Sequence, residues 1–188
     1  KQAGVDTSSI TKDCTFTVDP YSYEITVDGV DEETKMRMQN ALNVGDNGKN
    51  LYKHIYYCST QDGCESTQIT KESKMKYEAY HQVYSYTGYE LDKLEEKNGT
   101  YYTESGENIL DLVNHAVEDT GKVPKEYKQQ MKNWIHDLVS TMSVKGWNNV
   151  SDMTLSILYG KSGLKDMNQL ITYQYEAGSM NRQWYSVL

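Results

Sequence analysis

The stretch CTFTVDPYSYEITV, residues 14–27, decides the fold class, because its apolar residues change sides at every step on both flanks of a turn. Cys14, Phe16 and Val18 alternate with Thr15 and Thr17, and after Asp19-Pro20-Tyr21-Ser22 the alternation resumes at Tyr23, Ile25 and Val27. A period of two puts every second side chain on one face, so the spacing predicts a β-hairpin. Pro20 lacks the N–H that a ladder needs and has a fixed φ, which suits the turn between two strands.

Beyond the hairpin the period lengthens. Asp31 is placed to cap a helix running to about Asn43, with Met38, Ala41 and Leu42 inward, and the polar run 45–50 ends it. Two periods then compete. Leu51, Tyr52, Ile55 and Tyr56 fit a helical face, whereas Tyr52, His54, Tyr56 and Cys58 fit a strand. The Asp62-Gly63 turn between Cys58 and Cys64 tips the reading to strands on either side of that loop. Met75, Ala79 and Val83 predict a helix from Lys71 to about Tyr86, broken near Gly88, and Tyr101-Tyr102 a further short strand.

The second half reads as helices. Ile109, Leu110, Val113, Ala116 and Val117 form one stripe, with Ser105 as its cap and Gly121 as its stop. Pro124 opens a longer helix on which Tyr127, Met131, Trp134, Ile135, Leu138, Val139 and Met142 face inward as far as Gly146. Two shorter helices are expected over residues 152–159 and 164–176. The expected fold is therefore α+β, a small N-terminal β element of hairpins followed by a mainly helical C-terminal bundle. Residues 1–12 read as a polar, flexible leader and 13–188 as a single globular domain.

Seventeen tyrosines stand against one phenylalanine. The two rings differ mainly by a hydroxyl, so this bias places ring edges where they meet water or a hydrogen-bond partner. Five of the tyrosines, Tyr77, Tyr80, Tyr84, Tyr86 and Tyr89, crowd one segment together with Lys71, Lys74 and Lys76. They are the candidate binding residues, each able to supply contact area at little entropic cost. The same interleaving of rings and lysines suits stacked bases, but a net charge of -8 and a pI of about 5.0 repel phosphate, so no nucleic-acid partner is expected. No apolar run approaches the roughly 20 residues of a membrane-spanning helix.

Cys58 and Cys64 bracket a turn short enough to bring them within disulfide range, and Cys14 is left as a buried strand residue, an intermolecular partner or the mate of either other cysteine. The spacing fits no zinc site, and no metal or other cofactor is expected. The bridge, with a start at Lys1 that a removed leader would explain, points to an extracellular or cell-envelope setting.

Catalytic signals are weak. Glu78 and His81 share a helical face, but one Glu-x-x-His is half of what a di-iron bundle requires. Asp111, His115 and Glu118 share another face, opposite an apolar stripe, which reads as a solvated salt-bridging surface, and His136 beside Asp137 reads likewise. Lys122, Lys125, Lys128 and Lys132 form a cationic stripe whose simplest partners are Glu118, Asp119 and Glu126. No nucleophile elbow, phosphate-binding loop or dinucleotide fingerprint is present. The residues thus favour a non-catalytic binding protein that contacts a protein or glycan through tyrosines. A secreted hydrolase or toxin with a His/carboxylate site, and a structural subunit of a larger assembly, are the alternatives.

Overall fold

A computed structural model describes residues 13–59, 68–160 and 163–166, with the backbone alone for 58, 59 and 163–166. The chain is α+β and divides into two compact units, one drawn from Lys1–Thr70 and Met153–Leu188 and the other from Lys71–Asp152. The expected leader, 1–12, lies outside the described residues.

The first unit is built on the hairpin. Strands β1 (Cys14–Val18) and β2 (Ile25–Asp28) pair antiparallel, with Phe16 opposite Val27 and Val18 opposite Ile25. Asp19 staples the turn, its carboxylate accepting from the amides of Tyr21 and Ser22 at 2.9 and 2.7 Å. Tyr23 closes the loop with φ 61, and the chain at Gly48 lies so close to its carbonyl that an added Cβ would stand 2.0 Å from that oxygen. Only glycine fits there.

The sheet grows by strands β5 (Leu155–Gly160) and β6 (Gly163–Asp166), in the order β2-β1-β5-β6, where the sequence reading expected helices over 152–159 and from 164. A partner distant in the chain overrides the local helical period. Beside β1, β5 sets Cys14 against Tyr159, Phe16 against Ile157 and Val18 against Leu155, so that β1 and β5 share one apolar face. On the other face Thr17 and Ser156 hydroxyls meet at 3.1 Å. Past the end of β6, the Gln68 side chain takes the place of a strand, accepting from the Ser156 amide at 2.7 Å and donating to its carbonyl at 2.9 Å.

Helix α1 (Glu32–Leu42) follows, capped by the Asp31 carboxylate on the Thr34 amide as its sequence implied. Met38 packs with Cys14 and Val27, flanked by Phe16, Leu42 and Tyr159. Helix α2 (Asn47–Ser59) replaces the strand expected around 51–58. Its helical period wins because Tyr52 buries fully, meeting Tyr23 edge-on at 5.4 Å and donating its hydroxyl to the Met153 carbonyl at 2.5 Å, while Lys53 and His54 stay outside.

The second unit packs helices α3 (Lys71–Thr87), α4 (Ile109–Asp119) and α5 (Lys128–Lys145) on one another around Ala79, Val83, Val113, Val117, Ile135 and Val139. A hairpin of β3 (Glu95–Lys97) and β4 (Thr100–Tyr102) turns at Asn98 and Gly99, both with positive φ, the pair that suits a tight two-residue turn. Asn108, not Ser105, caps α4, accepting from the Leu110 amide at 2.9 Å, because Ser105 is engaged with Thr103 and Glu107 in the preceding loop. The buried face of α5 starts later than its apolar pattern implied. Ile135, Leu138, Val139 and Met142 are inside, whereas Tyr127 and Trp134 are exposed.

Candidate functional site

Helix α3 carries the five candidate tyrosines, and its period sorts them. Tyr77 and Tyr80 stand a turn apart on the side that meets the rest of the unit and are each 8% exposed. Tyr84, one turn further on, is 49% exposed, and its ring stacks on that of Tyr80 at 6.2 Å with 7° between planes. Tyr86 falls on the opposite side of the helix, half-buried, with burial pushing its phenol up. Tyr89 lies past the helix end and is 39% exposed. The structure thus brings Tyr77, Tyr80 and Tyr84 together and sets Tyr86 apart.

Two neighbours complete this aromatic face: His81, which the sequence offers only as half of a Glu-x-x-His motif, and Trp147, which it does not single out. His81 lies 4.3 Å from the Tyr77 ring and 5.2 Å from Tyr80, and Trp147 lies 6.3 Å from Tyr80. Gly146 delivers the tryptophan. It ends α5 with φ 80 and turns the chain into the short helical turn Trp147–Asn149. Lys76 then holds that turn, its ammonium donating to the Val150 carbonyl at 2.7 Å, pairing with Asp152 at 2.8 Å and sitting 4.7 Å over the Trp147 ring. At 4% exposure this lysine is a clamp, and Lys74 pairs with Glu78 at 4.0 Å. Gly146-Trp147 was the available signal, a helix stop followed at once by a large ring.

Glu118 is engaged by the ammonium groups of Lys132 and Lys128, which hold its carboxyl below the usual range, so two members of the cationic stripe pair as expected. His136 meets the Asn114 side-chain oxygen at 3.2 Å. Among the described residues, no group of three or more His, Cys, Asp or Glu is gathered to hold a metal. Cys14 is fully buried on β1, and burial raises its thiol pKa. Of the expected Cys58–Cys64 bridge, the Cys58 backbone falls in the last turn of α2, while Cys64 lies outside the described residues. No described helix is long and apolar enough to cross a membrane.

By comparison with known proteins, the chain belongs to the family described as "Domain of unknown function (DUF4885)", which it matches over residues 6–188. It is also similar to "Uncharacterized protein YbdO" of Bacillus subtilis (strain 168), with 30% identity over 175 residues, 93% of this chain. The matched region is 42% of that relative, so the chain spans less than half of its length. No solved structure matches.

Proposed function

We propose that this chain is a non-catalytic interaction protein of the extracellular space or cell envelope, and that it contacts a protein or glycan through the aromatic face of α3. The observation that carries the reading is the Tyr80–Tyr84 stack, in which an exposed ring rests on a buried one. A ring held in place before binding loses little freedom when a partner covers it, and aromatic anchors of this kind dominate contact energies. Tyr89 extends the exposed aromatic surface beyond the helix end. The compartment rests on the cysteine spacing, and intact mass with and without reductant tests it: no mass difference removes that support.

The binding claim is tested on arrays of glycans and of extracellular protein fragments probed with the purified chain. Tyr84→Ala should weaken the signal about tenfold with an unchanged melting temperature. Tyr80→Ala should instead cost about 3 kcal/mol of stability, since it empties part of a packed face. Full retention of the array signal by Tyr84→Ala would overturn the proposal.

A further inference from the structure

A cleft of about 370 Å³ opens in the second unit where the β3–β4 hairpin and the turns Leu91–Lys93 and Trp147–Asn149 come together. Asp92, Glu96, Tyr101, Trp147, Asn148 and Asn149 line it, with Leu91 and Leu94 as apolar wall, and none of the lining residues is basic. Tyr101 is 2% exposed, and its hydroxyl is the one buried side-chain polar atom, among the described residues, that lacks a hydrogen-bond partner. Burial, helped by the charge of Glu96, pushes this phenol up to about 12, so it keeps its proton at neutral pH. A buried donor without an acceptor is costly and uncommon in a native fold.

Glu96 stands directly across the hairpin from Tyr101, and its carboxylate accepts from the Ser143 hydroxyl at 2.6 Å. A ligand atom satisfying both residues has to accept from the phenol and donate to the carboxylate. A hydroxyl does both, an ammonium only donates and an anion only accepts. The Asn148 amide again offers donors and an acceptor, Asn149 keeps its oxygen and one N–H beyond the bond its nitrogen donates to the Lys145 carbonyl at 2.9 Å, and Trp147 adds aromatic surface beside them. Several two-way polar groups beside one aromatic ring, with no cation in the wall, match a neutral ring bearing adjacent hydroxyls.

We propose that this cleft binds a neutral sugar residue, with one sugar hydroxyl bridging Tyr101 and Glu96. The phenol oxygen exposes no surface of its own, so entry has to part the side chains that cover it, and free and bound states differ at that pair. Trp147 is shared with the aromatic face of α3, but Tyr84 is not among the lining residues, so a Tyr84 variant separates the two readings.

The test is an NMR titration of the full chain with glucose, mannose, galactose and N-acetylglucosamine, and separately with methylammonium and phosphate. At least one sugar should shift the Trp147 indole and the Asn148 and Asn149 side-chain amides saturably, and neither ion should. Tyr101→Phe removes one oxygen and should weaken that sugar about tenfold without lowering the melting temperature. Glu96→Gln should also weaken it, and Tyr84→Ala should leave it unchanged. An oligosaccharide ending in the same sugar separates a glycan terminus from a free sugar as the source. Absence of any sugar-induced shift, equal binding by Tyr101→Phe, or shifts produced by methylammonium or phosphate would overturn the proposal.

Discussion

Tyrosine hydroxyls meet different fates in this chain, and neighbours decide which. Tyr52 donates to the Met153 carbonyl inside the first unit, the Tyr101 hydroxyl is buried in the second with no hydrogen-bond partner among the described residues, and the Tyr84 ring stands half outside. The excess of tyrosine over phenylalanine signals that hydroxyls matter, but which of them stay wet depends on the angle each takes around α3 and on what packs there. Tyr77 and Tyr80 sit inward, so a crowd of rings in sequence became a buried support and a smaller exposed surface. The perturbed phenol of Tyr101 has a pH consequence. Its ionisation lies at about 12 when folded against 10.0 for the ordinary group, so the folded state retains a proton that the unfolded chain releases. Below pH 10 this difference has no effect on stability, and as the pH rises toward 12 stability falls by up to about 3 kcal/mol. Urea titrations of wild type and Tyr101→Phe across that range should diverge, with the variant losing less stability, and parallel curves would contradict the assignment.

At the scale of elements, local signals were legible and distant partners were not. The first hairpin and the Asp31 cap rest on residues close in the chain, and both form as read. The Asn98-Gly99 pair announced a second hairpin, of which the sequence reading placed only the Tyr101-Tyr102 strand. By contrast β5 is a strand because β1 lies beside it, a fact that no window around residue 157 contains. Helix α2 was obscured because tyrosine serves either period, and burial of Tyr52 decided it. Neither Gln39, within α1, nor Asn43, at its end, announced its role. Asn43 accepts from the Ile25 amide at 2.8 Å and donates to its carbonyl at 2.9 Å, and Gln39 accepts from the Val27 amide at 3.0 Å, so together they occupy the open edge of β2. Edge strands left bare invite pairing with other chains. Asn43→Ala should cost about 2 kcal/mol and speed amide exchange at Ile25, and unchanged exchange there would mean that the edge is protected by something else.

For the whole molecule, the change of period along the chain gave the α+β class, while the division into two compact units depended on β5, whose pairing with β1 carries the first unit across the second in sequence. Each unit has its own core, and the proposed recognition face belongs to the second. Recognition rests on Tyr84 of α3, stacked on the buried Tyr80, with Tyr89 exposed beyond the helix end. Tyrosine nitration read by mass spectrometry, in the free protein and with the strongest array ligand bound, tests it most directly. Tyr84 and Tyr89 should react in the free protein and be protected on binding, with Tyr77 and Tyr80 slow throughout. Equal nitration of Tyr84 in the free and bound states would contradict it.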